Sequence, residues 1–166
     1  METHYIIDAS GIINGYPLEN KNNYTVSEII SEIKDFKSKL KLEEAIEDGK
    51  LAISLPSDKA IEKLDEKLLK SGDGLRLSQA DKMIIALAID FMDSGRKTKV
   101  ITDDYTIQNE LKINGIEYSG VLTKGIKGIY NWKKICEGCK KEYGQDYPFD
   151  DCEICGSNLF KKRIKK

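Results

Sequence analysis

The chain has 166 residues, 33 % of them charged, yet a formal net charge of only −1. That length supports one ordinary core plus a small appendage, and so even a balance implies neither a nucleic-acid coat nor a disordered polyelectrolyte. No run approaches the roughly 20 apolar residues of a membrane span, and the opening METHYIID is too short and polar for a secretory signal, so a soluble cytoplasmic protein without a membrane partner is expected.

The charge is unevenly placed. Residues 130–166 carry nine Lys or Arg against six Asp or Glu, leaving 18 against 22 before them. Histidine occurs once, at His4, where it opens a strand and reads as structural, and all four cysteines lie between 136 and 155. Ser-His-Asp and Cys-His nucleophilic catalysis are therefore excluded, so hydrolysis would have to run on carboxylates.

In chain order, Tyr5–Ile7 is a short apolar run stopped by Asp8, which stands either as an acid at a strand's C-terminal end or as a helix N-cap. A loop follows over Gly15–Asn23. Thr25 then reads as the cap of a helix with Val26, Ile29, Ile30 and Ile33 on one face. Glu28 falls three residues later, so it is either a capping-box partner or a site acid beside the apolar stripe; Glu32 is its rival. A second helix is expected from about Ser38 to Asp48, then a strand through Leu51, Ile53 and Leu55, then a helix capped by Ser57 and running to about Lys70.

Ser78 begins the helix SQADKMIIALAIDFMD. Asp81 fits a capping box with Ser78, but it also lies in line with Ile84, Ile85, Ala88 and Met92, an expensive place for a charge. Gly95 turns the chain into a strand ending in Val100, Ile101, Thr102, Asp103 and Asp104. A helix through Ile107 and Leu111 follows, ending at Asn114 and Gly115, with a last strand over Ile116–Tyr118.

This alternation predicts an α/β fold, a parallel sheet between helical layers. Strand ends and the starts of following helices then share one edge, so Asp8, Glu28, Asp81 and Asp103 can meet in a crevice if the first strand neighbours the one carrying Asp103. Carboxylates packed together repel unless a cation intervenes, and Mg²⁺ or Mn²⁺ suits such oxygen ligands. One or two such ions can activate a water against a phosphodiester.

Cys136, Cys139, Cys152 and Cys155 form C-x2-C-x12-C-x2-C, which reads as a four-thiolate structural zinc site ahead of a rubredoxin-like iron site or a pair of disulfides. Around it, Trp132, Lys133, Lys134, Lys140 and Lys141, with Tyr130, Tyr143 and Tyr147, are either rings over a tiny core or a stacking and neutralising surface for single-stranded RNA or DNA. The expected organisation is a nuclease-like domain over 1–120, a linker over 121–131, a ribbon over 132–160 and a basic tail over 161–166. That tail is either a solvated end or a foothold for a polyanion.

These residues resemble the PIN-domain nucleases, and within them the archaeal Nob-type ribosome-maturation endonucleases. The motifs in common are Y-I-I-D-A-S, T-V-S-E, S-Q-A-D-x-x-I-I-A-L-A, T-D-D-Y-x-x-Q-N and the four-cysteine ribbon, in this order. The resemblance implies metal-binding acids at Asp8, Glu28, Asp81 and Asp103, with Asp104 accessory. It further implies an endoribonuclease trimming the 3′ end of precursor small-subunit ribosomal RNA, a ribbon that helps grip RNA, and a KH-domain assembly factor as partner. PIN domains also occur as toxins that cut transfer or messenger RNA, and an inert scaffold that only binds RNA is a further alternative. The scarcity of histidine favours a 5′-phosphate and 3′-hydroxyl product over cyclic-phosphate chemistry. A haloacid-dehalogenase-type phosphatase fits worse, because position 10 is Ser where that chemistry wants a second Asp.

Overall fold

A computed structural model describes residues 2–19, 22–72, 74, 76–122 and 130–165. Five parallel strands, β1 (Thr3–Ile7), β2 (Asn23–Thr25), β3 (Ala52–Ile53), β4 (Lys97–Ile101) and β5 (Glu117–Ser119), form one sheet in the order β3-β2-β1-β4-β5. Ile6, Ile7, Val100 and Ile101 are at most 1 % exposed, as the two central strands of a sheet covered on both faces require.

Six helices accompany the sheet among the described residues: α1 (Ala9–Ile13), α2 (Ile29–Glu32), α3 (Phe36–Glu47), α4 (Asp58–Ser71), α5 (Gln79–Asp93) and α6 (Tyr105–Ile113). In α5, Ile84 to Ala88 are each at most 1 % exposed, because a helix apolar nearly all round has to be enclosed. Side-chain caps fix where the later helices begin: Asp35 for α3, Ser57 for α4, Ser78 for α5 and Asp104 for α6.

The strand order decides where a site can form. From β1 the chain goes to β2 on one side and returns later to β4 on the other, and β1 and β4 pair in parallel from Thr3 with Lys97 to Ile7 with Ile101. Their C-terminal ends therefore open a crevice at the point where the winding reverses. The adjacency that the convergence of acids needed is present.

The second strand is where the structure departs from the sequence reading. Asn23–Thr25 is β2, not the end of a loop, and Thr25 is no helix cap: its hydroxyl donates to the Ile7 carbonyl at 2.8 Å across the sheet. The helix after it is a single turn, α2. A three-residue strand offers too short an alternation to compete with the apolar spacing that runs on through Ile29 and Ile33.

After residue 129 come three antiparallel strands, β6 (Tyr130–Cys136), β7 (Glu142–Tyr143) and β8 (Leu159–Lys165), in the order β7-β6-β8. Of the expected linker, 123–129 lie outside the described residues, while Tyr130 and Asn131 already belong to β6. The expected basic tail is also corrected, since Lys161 to Lys165 are part of β8, with Lys162 opposite Lys133 and Lys161 opposite Lys134. The ribbon leans on the end of α4. Gly72 closes that helix at φ 81°, and a Cβ there would lie 2.9 Å from the Trp132 carbonyl, so glycine permits both the turn and the contact.

Candidate metal centre

Asp8 leaves β1 at the crevice and is 3 % exposed. Its Oδ2 accepts from the Ser10 and Thr102 hydroxyls, each at 2.9 Å, whereas Oδ1 is buried and has no hydrogen-bond partner among the described residues. Burial pushes this carboxyl above its ordinary range, against the pull of the Thr102 and Ser10 hydrogen bonds, and the nearby Asp104 charge pushes the same way. Thr102 is itself held: its hydroxyl accepts from the Asp104 N–H at 3.1 Å, and Gln108 donates to its carbonyl at 2.8 Å.

Asp81 approaches from the first turn of α5. The capping box is real, with the Asp81 N–H donating to Ser78 Oγ at 3.1 Å and the Ser78 N–H donating to Asp81 Oδ2 at 3.0 Å. The cap does not remove the acid from the crevice. Carboxylate oxygens of Asp8, Glu32 and Asp81 lie within 4.8 Å of one another. Desolvation, then the Asp8, Asp104 and Glu32 charges, push Asp81 up to about 6, with the Ser78 N–H opposing them. A hard cation placed among these oxygens would relieve that repulsion and give Asp8 Oδ1 a partner, so the donor set fits Mg²⁺ or Mn²⁺.

The two adjacent acids after β4 differ. Asp103 is tied on both oxygens: Oδ1 accepts from the Val121 and Leu122 N–H groups at 2.9 and 3.1 Å, and Oδ2 from Asn14 at 2.7 Å. Asp104 caps α6 through Oδ1, and it is the charge felt by both Asp8 and Asp81. Glu28 likewise stands outside the trio, taking the Ser27 hydroxyl at 3.3 Å, while Glu32, one turn later, is inside it.

In the ribbon, Cys136 and Cys155 Sγ are 3.3 Å apart and Cys139 and Cys152 Sγ 3.6 Å, with all four within 4.8 Å. These separations are far beyond the roughly 2.05 Å of a disulfide, and near the about 3.8 Å that two sulfurs keep on a tetrahedral zinc with Zn–S of ~2.3 Å. The Tyr143 hydroxyl lies 3.0 Å from Cys152 Sγ and holds that thiol below its ordinary range; Ser157 brings Cys155 down to about 5. Cys139 is pushed the other way, up to about 11, by desolvation and the neighbouring thiols, so it is the grouping of the four sulfurs that fits zinc.

Residues 5–91, a little over half of the chain, match the family model for the PIN domain of ribonuclease. The chain belongs to the PIN-domain ribonucleases. It is 46 % identical over 158 residues to endoribonuclease Nob1 of Methanothermobacter thermautotrophicus, covering 95 % of this chain and 92 % of that one. It is 41 % identical to endoribonuclease Nob1 of Methanocaldococcus jannaschii, over 96 % of this chain and 78 % of that one. Similarity at 31 % identity, over 93 % of this chain and 76 % of the other, extends to ribonuclease VapC1 of Thermoplasma acidophilum.

Beyond this PIN domain, the structure sorts the ring and cation residues of the ribbon. Trp132 is 8 % exposed beneath the Arg76 guanidinium, 4.2 Å from its ring centre, so it packs the junction with the nuclease domain. Lys134, 9 % exposed, donates to the Tyr147 and Phe149 carbonyls at 3.0 and 3.3 Å. Neither presents itself to RNA. Lys133 pairs with Glu142 at 3.4 Å, Lys141 with Glu153 at 2.6 Å, and Lys140 donates to the Glu137 carbonyl at 2.9 Å, all near the surface. The burial of Trp132 and Lys134 was open to the alternation rule, since residues two apart share a strand face. Ser10 and Thr102 escaped notice as neutral groups, although each sits two residues or fewer from a site acid.

Proposed function

We propose that this chain is an endoribonuclease that trims the 3′ end of precursor small-subunit ribosomal RNA, with one or two Mg²⁺ or Mn²⁺ ions held by Asp8, Glu32, Asp81 and Asp104. The observation that carries the reading is Asp8 Oδ1, a buried oxygen without a partner that shares its crevice with two further carboxylates. The likeness to proteins named endoribonuclease Nob1, over 92 % and 78 % of their lengths, supports an endoribonuclease; a ribosomal RNA substrate, a cytoplasmic place and a KH-domain factor as partner belong to the same proposal.

A divalent ion bound there supplies charge neutralisation at the scissile phosphate and a more acidic water. The residues of the chain do the rest. Ser10 and Thr102 fix one oxygen of Asp8, which leaves the other aimed into the crevice. Asp81 enters from the first turn of α5 and Asp104 from the cap of α6, so both carboxylates are tied to helix starts. In-line attack then yields a 5′ phosphate and a 3′ hydroxyl. A structural zinc on the four cysteines would supply the ribbon's stability, since among the described residues its own buried cluster is Cys136, Cys152 and Tyr143.

The likeness to ribonuclease VapC1 favours a second reading, a PIN ribonuclease acting on another RNA. Incubation with Mn²⁺ and a transcript spanning the 3′ end of the small-subunit RNA, alongside transfer and messenger RNA, separates the two. A single cut at the mature end, with 5′-phosphate and 3′-hydroxyl termini, is expected. Preferential cutting of the other RNAs would assign the second reading, and no cleavage of any would leave an inert scaffold.

A further inference from the structure

The Ser78 hydroxyl has one proton to donate. It accepts from the Asp81 N–H at 3.1 Å, as a helix cap must, and it donates to Glu32 Oε1 at 2.7 Å. Its own N–H meanwhile holds Asp81 Oδ2 at 3.0 Å. One residue thus grips two of the three clustered acids, of which Glu32 lies 46 residues before it in the chain. We propose that Ser78 is a positioning residue that sets Glu32 and Asp81 at the spacing a divalent cation needs, before the cation arrives. The proposal rests on the metal-dependent reading above.

Glu32 needs such a tether. It ends α2, a helix of four residues, and the chain turns extended at Ile33, φ −86° and ψ 107°. A single turn holds a long side chain poorly, and a glutamate loses much rotamer entropy when it is fixed. The platform beneath Ser78 is different in kind. Leu77 before it is 9 % exposed, and α5 after it is fifteen residues long and largely enclosed. A short bond to an ionised acceptor, made from that platform, transfers the order of the core to Glu32.

The capping role and the tethering role can be separated. Glycine at an N-cap costs only a few tenths of a kcal/mol relative to serine, while it removes the hydroxyl; threonine keeps both functions. Mn²⁺ binding to the RNA-free protein, followed by the electron paramagnetic resonance signal of the free ion, reads the site without turnover. Ser78→Gly is expected to weaken Mn²⁺ about 10-fold, within the range for loss of a residue that orients a ligand, and Ser78→Thr to stay close to wild type. In a Glu32→Gln background Ser78→Gly should add little further loss, because the group it orients is already neutral. Wild-type affinity in Ser78→Gly, or the same 10-fold loss with and without the Glu32 carboxylate, overturns the proposal while leaving the metal reading in place. Absence of Mn²⁺ binding by the wild-type protein overturns both.

Discussion

The Thr102 hydroxyl at the end of β4 donates to Asp8 Oδ2 at the end of β1, 2.9 Å away, and joins the two strands where the acids gather. The same oxygen accepts from the Asp104 N–H, so one side chain aligns acids on both sides of the crevice. Thr102→Val keeps the shape and removes both bonds. It should cost about 1–3 kcal/mol in urea unfolding, since Asp8 Oδ2 and the Asp104 N–H are left short of partners. Cleavage should fall at the same time, checked at a temperature where the variant is fully folded.

Asp81 gives a pH dependence with a definite sign. Its folded pKa is raised to about 6 from an ordinary 3.8, so in the metal-free protein its stabilising share is full below the ordinary value and is lost as pH rises through about 6. Asp81→Asn should therefore raise the melting temperature of metal-free protein at pH 7.5 by a few degrees, about 1–2 kcal/mol after allowance for its partial exposure. In the same variant, added Mn²⁺ should no longer raise the melting temperature. In wild type, Mn²⁺ affinity should decline as pH falls through about 6, because protons compete for the ligands.

Glu28 and Glu32 are four residues apart and chemically identical, yet only Glu32 shares the cluster with Asp8 and Asp81. Glu32→Gln is expected to reduce cleavage at limiting Mn²⁺ at least tenfold and Glu28→Gln much less. A titration of rate against Mn²⁺ for both variants decides between them.

The ribbon offers a direct optical signal, because Trp132 is the protein's single tryptophan and sits under Arg76 at the junction with α4. Removing zinc with a strong chelator, or Cys136→Ser, should unfold the ribbon and shift tryptophan emission to the red. The helical circular dichroism of the nuclease domain should change little, since its core does not include the ribbon's residues.

Much of this site was legible in the chain before any coordinates. Asp8 and the Asp103–Asp104 pair stand where apolar runs stop, Asp81 lies in line with an apolar stripe, and the cysteine spacing is local; each signal sits within a few residues of its acid or thiol. What stayed hidden depends on rotation by one residue or one turn. Asp103 and Asp104 are neighbours, but only the tertiary structure gives them different partners, Asn14 and the backbone at 121–122 for the first and the start of α6 for the second. Glu28 and Glu32 share a helix face, and the deciding partner, Ser78, is far away in sequence. β2 was missed for a related reason. Its Thr25 answers to the Ile7 carbonyl, a contact that no local pattern announces.

Asp8→Asn is the most direct measurement of the central claim. The substituted amide keeps an oxygen for Ser10 and Thr102 but turns an N–H toward the position of the unpartnered Oδ1, where a cation would be repelled. With circular dichroism matched to wild type, the variant should lose Mn²⁺ binding and cleave precursor small-subunit RNA at least a hundredfold more slowly. Equal cleavage by both proteins, or wild-type cleavage that persists after exhaustive removal of divalent ions, would contradict a carboxylate-held metal nuclease.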